Sequence, residues 1–270
     1  MRRLVAAIIT LLMVVTMLPI YASCATSNGV TLDEAQVVGG KITISGSSTI
    51  PNDLKISILN VEKDHSIWYS IPVDSNGRFN RDIYMIDGVG NYIITVMIHR
   101  DGINYYYGPQ IRVYNSTNVD RFSVPRKYVE SDNSIIRFYA CWYVLWTFNS
   151  DAYRAANTMY NWILNNMHYD NDKMKRVEDN PYDTIEESEY GSVYAITNRK
   201  GICFDFATLY AAFMQSIGVR TKVDIGYYMG EYHAWNECYI NGRWVWIDST
   251  LRIFDIPDEN KKLYDKREEY

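Results

Sequence analysis

The chain is short of the residues that would hold a fold by crosslinks or grip a polyanion. Four cysteines in 270 residues are too few for a disulfide scaffold. Lys and Arg number 27 against 32 Asp and Glu, a net charge of −5, and no basic run exceeds a pair. That argues against a nucleic-acid binder, which needs a basic face or stripe. No segment repeats itself, and no EF-hand-type calcium loop occurs, so neither a metal nor any other cofactor is expected. What the chain does have is a 47% hydrophobic fraction, enough to exclude disorder throughout. Its 24 tyrosines lift the aromatics to 14% and lean the expectation toward β structure.

Residues 1–25 read as an export signal. Arg2 and Arg3 precede an apolar run from Leu4 to Ile20, broken only by Thr10, Thr16 and Pro19. The small residues Ala22, Ser23 and Ala25 follow, and Pro19 with this exit favours cleavage over a retained anchor. Tyr21-Ala22-Ser23-Cys24 resembles a bacterial lipobox except at Tyr21, where that pattern has Leu, Val or Ile. Cys24 therefore carries lipid, leaves with the signal, or stays as an idle thiol. The expected location is secreted or cell-envelope attached, touching membrane only through the signal or a lipid on Cys24.

Residues 35–125 carry a strand pattern. Lys41–Ser45 and Leu54–Leu59 alternate apolar and polar residues, while Tyr92–Met97 is nearly all apolar. Turn signals at Pro51-Asn52-Asp53, Asp74–Gly77 and Asp87-Gly88 separate them. Short strands at about ten-residue spacing predict an immunoglobulin-like β-sandwich. His65 and His99 stand alone and read as structural. An accessory sandwich of this kind spaces, docks or binds, and a cell-envelope polymer is one candidate partner.

Residues 130–270 change in texture. Ile135–Phe148 is apolar and aromatic, of ambiguous type. Ala152–Met167 reads as a helix capped by Asp151 or Ser150, with apolar residues recurring at three and four. Asp170–Ser188 is polar and reads as a loop or lid. Cys203 begins a second apolar helix running to Ile217, where Gly218 stops it, and a helix start favours a thiolate. His233 precedes a hairpin turn at Asn241-Gly242, and the returning strand ends in Asp248, so the two side chains come near each other. A cysteine at a helix start, a strand-borne histidine and a carboxylate make a Cys-His-Asp triad. Cys203 is the nucleophile, His233 the proton carrier, Asp248 its orienter, and the Cys203 N–H an oxyanion donor. A metal cluster of Cys203, His233 and Cys238 is disfavoured, because residues five apart on a strand face opposite ways. Trp235 and Tyr228 are assigned to the substrate cleft, while Cys141 and Cys238 are left to packing or a mutual disulfide.

The blocks Gly201–Ala207, Gly218-Val219-Arg220, His233–Glu237 and Trp244–Thr250, in that order, resemble the transglutaminase-like superfamily. The helix before Tyr169-Asp170 is similar to the element that precedes that core. The resemblance covers about residues 130–255 and implies an α+β, papain-like core with its triad on Cys203, His233 and Asp248. It implies acyl transfer through a thioester, as hydrolysis or transamidation of protein or peptide amides, with no choice between them. A binding module on the same fold, recognising peptides or envelope polymers without turnover, is the alternative.

Overall fold

The computed structural model describes residues 24–50, 54–101, 104–146, 151–179 and 187–270. The signal-like segment through Ser23 and the turn expected at Pro51–Asp53 lie outside the described residues. No helix among the described residues is long and apolar enough to cross a membrane. The chain divides into two compact units, one ending at Val119 and the other running from Asp120 to Tyr270.

Among the described residues, the regular elements of the first unit are all strands. Its elements are β1 (Ala25–Ser27), β2 (Val30–Leu32), β3 (Val37–Val38), β4 (Lys41–Ser48), β5 (Leu54–Asn60), β6 (His65–Ile71), β7 (Arg78–Tyr84), β8 (Gly90–Asp101) and β9 (Asn104–Asn115). They form two antiparallel sheets. In one, β4 pairs with β2, β3 and β7; in the other the order is β6-β5-β8-β9. Period-two alternation sends Ile42, Ile44, Ile56, Ile58, Tyr92 and Ile94 into a core shared by both sheets. Strands begin at Ala25, ahead of the expected start at residue 35, because three-residue strands are too short to show a period. The unit ends before residue 125, since Asp120 pairs with Arg220 and Phe122 O accepts from Thr221 N in the second unit.

The second unit mixes helix and strand. In chain order it has α1 (Ser134–Trp146), α2 (Ala152–Asn166), β10 (His168–Tyr169), α3 (Asn171–Asp179), α4 (Gly191–Asn198), β11 (Lys200–Gly201), α5 (Cys203–Ser216), β12 (Thr221–Tyr228), β13 (Glu231–Ile240), β14 (Arg243–Asp248), β15 (Ile253–Phe254), α6 (Asp258–Lys261) and β16 (Tyr264–Glu269). Asp151 caps α2, its side chain accepting from Tyr153 N. The ambiguous segment from Ile135 is helical through Trp146. The stretch expected as a loop or lid instead contains α3, with Asp172 in its first turn and Arg176 in its last to suit the helix dipole. The part of that stretch at 180–186 lies outside the described residues.

One sheet positions the chemistry, in the order β15-β14-β13-β12-β16. Asn241 and Gly242, at φ 50° and 82°, make the two-residue turn between β13 and β14. Helix α5 covers one face: Ala234 and Cys238 join its core cluster, and Asn236 Nδ2 donates to Ala207 O at 2.9 Å. The opposite face carries His233, Trp235 and Glu237, with Trp235, Ile256 and Tyr264 as a smaller core.

Asp224 lies on that second face, opposite Trp235 in the β12–β13 register. It is fully buried, neither carboxylate oxygen has a hydrogen-bond partner, and Lys266 Nζ is 3.5 Å from Oδ1. Burial and the nearby Glu237 carboxylate push its pKa up to about 8, against the pull of Lys266 and Lys222. The folded state then holds a proton that the unfolded chain releases near pH 4. Stability from this group is full below about pH 4 and is lost as pH rises through about 8. We expect the unfolding free energy of the parent, minus that of Asp224→Asn, to fall across this window by at most ~1.4 kcal/mol per pH unit. Urea titrations at several pH values measure it, and a flat difference would mean that Asp224 ionises normally in the fold.

Candidate active site

The approach to α5 is held on both sides. β10 and β11 pair in parallel, Tyr169 opposite Gly201, with Asp170 N donating to Gly201 O at 2.9 Å. Gly201 packs so closely on the helix that an added Cβ would lie 2.4 Å from Asp205 Cβ, so no side chain fits there. Cys203 follows as the first residue of α5 and is buried. Backbone N–H groups in a first helical turn have no carbonyl four residues back to receive them. The Cys203 N–H therefore belongs to the electropositive end of a fourteen-residue helix.

Asp205 ties this start to its surroundings. Its Oδ2 accepts from Ile202 N at 2.8 Å and from Lys173 Nζ at 2.6 Å, and its Oδ1 from Gly191 N at 2.9 Å. Lys173, fully buried, also donates to Glu189 O and lies 4.2 Å and 4.4 Å from the ring centroids of Tyr190 and Tyr194. Burial pulls the lysine pKa down and the aspartate pKa up, and the attraction between them opposes both shifts.

On the sheet, His233 Nε2 and Asp248 Oδ2 are 2.7 Å apart. Asp248 is fully buried and saturated: Oδ2 also accepts from the Tyr264 hydroxyl at 3.0 Å, and Oδ1 from Thr250 N at 3.0 Å and Leu251 N at 2.9 Å. The Cys203 side chain is the other polar neighbour that bears on the imidazole. With Nε2 turned to Asp248, Nδ1 is the ring nitrogen left for the sulfur. Burial alone would lower the histidine pKa, but its interactions with Asp248 and Cys203 outweigh it and push it up to about 9. The imidazole is therefore cationic at neutral pH. Trp235 stacks beside it, ring planes 18° apart and centroids 6.3 Å apart.

The structure thus brings Cys203, His233 and Asp248 together from a helix start and two adjacent strands. Trp235, expected in the substrate cleft, is 1% exposed and packs against Tyr264 and Trp246 instead. It backs the imidazole and presents no open wall. Tyr228 is half-buried, its ring 6.0 Å from His233 and 4.8 Å from Tyr264. Cys238 bonds Thr221 Oγ1 at 3.2 Å on the other face of β13 from His233, and burial pushes its pKa up to about 12. Cys141 is exposed and Cys238 buried, both free, so they form no mutual disulfide. No metal-binding cluster occurs among the described residues. Two contributors were missed. Lys173 lay in a polar stretch with nothing to mark it as buried, and Tyr264 sits on β16, far from the hairpin it supports.

Residues 146–249 match the family model of the transglutaminase-like superfamily, and this segment of the chain is similar to that superfamily. A candidate cysteine protease from Cytophaga hutchinsonii is similar at 18% identity, over 92% of this chain and 82% of its own, with a TM-score of 0.41. A structure described as a TGase is similar at 16% identity over 66% of this chain and 50% of its own, with a TM-score of 0.39. Red sea bream transglutaminase is similar at 13% identity over 82% and 49%, with a TM-score of 0.31. No curated protein matches.

Lys173→Met would leave Asp205 charged, buried and without its cation. We expect it to lower the unfolding free energy by about 3–5 kcal/mol in urea denaturation. A loss under about 1 kcal/mol would place Lys173 among surface-type ion pairs instead.

Proposed function

We propose that this protein is an exported or lipid-anchored enzyme that transfers acyl groups from protein or peptide amides through Cys203. The observation that carries the reading is the imidazole of His233, hydrogen-bonded to Asp248 at 2.7 Å, with Cys203 among the neighbours that raise its pKa. The Cys203 sulfur, its proton resting on His233, attacks the amide carbonyl and forms a C–S bond. The Cys203 N–H donates to the oxygen as it gains charge. The C–N bond then breaks, and the amine leaves with the proton that His233 returns. Water or a primary amine attacks the thioester, gives its proton to His233 and frees the sulfur. The first acceptor makes the protein a hydrolase, the second a transamidase.

The near burial of the pair bears on the substrate. Cys203 and His233 are each 7% exposed, so the reacting group must be slender. A carboxamide on a flexible side chain, or an extended peptide bond, meets that demand, and Tyr228 stands beside the imidazole to meet it. We read the β unit as an immunoglobulin-like sandwich. The pairing β2-β4-β7 and the order β6-β5-β8-β9 over one core support this. In this reading the unit holds the enzyme on a cell-envelope polymer, with the signal or a lipid on Cys24 setting its location.

Glutamine-containing peptides, incubated with and without a primary amine, test the reaction. Cys203→Ala should abolish ammonia release and amine incorporation, and His233→Ala should lower kcat by about 10²–10⁴-fold. Product formation that survives Cys203→Ala would sink the enzyme reading and leave a binding module.

The pH profile gives a second check. The imidazolium persists below about pH 9, so kcat/KM should fall as pH rises through that value. Asp248→Asn removes the main upward pull and should move this limb to lower pH. A limb that stays in place would mean that another group sets it.

A further inference from the structure

The four-stranded sheet of the β unit has an outer face that the acyl-transfer reading leaves unused. Along β8, Tyr92, Ile94, Val96 and Ile98 enter the core, while Thr95, Met97 and His99 turn outward. The register sets Gln110, Tyr107 and Tyr105 of β9 beside them in turn. Met97 is nevertheless only 5% exposed. Trp68 on β6 and Tyr105 on β9 are separated by β5 and β8, yet their rings meet edge to face at 5.9 Å. Lys55 Nζ lies 5.2 Å from the Tyr105 centroid, and the His99 ring adds an edge contact at 5.4 Å. These side chains make a ridge across the sheet that closes over Met97.

Beside the ridge, Tyr107 is 73% exposed and Tyr114 46% exposed. Gln110 and Arg112 stand between them on the same strand face, and Gln110 Nε2 is held by Thr95 Oγ1 at 2.9 Å. Tyr105 and Tyr114 are ~25–30 Å apart at ~3.4 Å per residue, a tract for several units of a polymer. The one Asp or Glu in these four strands is Asp101, the last residue of β8, whereas Lys55 and Arg112 are cationic in a chain of net charge −5. The nearest carboxylates sit at the ends of the tract. Glu62 accepts from Asn91 N and Nδ2, and Asp101 Oδ2 is 3.4 Å from Arg100 Nε.

We infer that this face binds an acidic polysaccharide laid along β9. A pyranose ring presents C–H bonds on its flat side, which suit the electron-rich face of a tyrosine or tryptophan ring. Its hydroxyl rim suits Gln110 and the serines of β5 and β6, and its carboxylates suit Arg112 and Lys55. A protein partner fits less well. Such interfaces have a continuous apolar centre, but the central Met97 here is already covered by the chain's own ridge. The inference rests on the docking role proposed for the β unit and assigns it a face and a ligand chemistry.

Affinity electrophoresis of the mature full chain, in gels holding polygalacturonate, dextran or casein, tests it. Polygalacturonate should retard the parent, less so as salt rises, and dextran should not. Tyr107→Ala and Arg112→Ala should each weaken retardation by about tenfold with unchanged Tm, the scale of one lost ring or charge-assisted contact. Val38→Ala, exposed on the other sheet, should behave as the parent. Retardation that both face variants keep would overturn this face while leaving polymer docking intact. No retardation of the parent by either polysaccharide would overturn both. Equal retardation by dextran would overturn the acidic preference, and Tyr107-dependent retardation by casein alone would assign the face to a protein partner.

Discussion

A carboxylate taken out of water must be met on every side, and Asp205 is met by three elements at once. Lys173 reaches it from α3, the Gly191 N–H from the start of α4, and the Ile202 N–H from the step before α5. Each of these contacts is worth little in net stability, because water would have served the same groups in the unfolded chain. Losing one of them inside the fold is costly, because the charge would then lie buried and uncompensated. The start of α5 is thus fixed in space, and with it the position of the Cys203 sulfur and N–H.

The same logic of saturation runs through the sheet. Asp248 accepts four hydrogen bonds, two of them from the backbone that follows it, so its carboxylate cannot turn away from His233. The hairpin at Asn241-Gly242 sets the register that brings the two strands' ends together. Strand alternation does the rest. One face of β13 packs on α5, and the other is left for polar chemistry, backed by Trp235 and Tyr264. The imidazolium is stable there because the attraction of a fixed, desolvated anion exceeds the cost of its own burial.

Much of this site could be read from the sequence, because its parts are local patterns. The helix start at Cys203, the two-residue turn and the strand ending at Asp248 each depend on a few neighbouring residues. Lys173 and Asp205 are far apart in the chain, and a lysine in a polar stretch normally means solvent. Nothing in the sequence separates a buried one from the rest. Tyr264 is hidden for a related reason, since β16 joins the sheet beside β12 and its role depends on that pairing. Trp235 admits two readings in the sequence, cleft wall or core, and strand alternation puts its ring with that of His233 on one buried face. In the β unit the strand pattern was visible wherever strands were long, and absent from β1 and β2, which hold three residues each.

The charges on the polar face of that sheet explain why one carboxylate governs the histidine. Asp224 sits on the neighbouring strand, opposite Trp235, and its raised pKa leaves it mostly protonated at neutral pH. Glu237 is engaged with Lys266 and Lys222 further along β13. Neither places a second free negative charge beside the imidazole. The burial that costs Asp224 its charge therefore also leaves Asp248 as the anion that sets the state of His233.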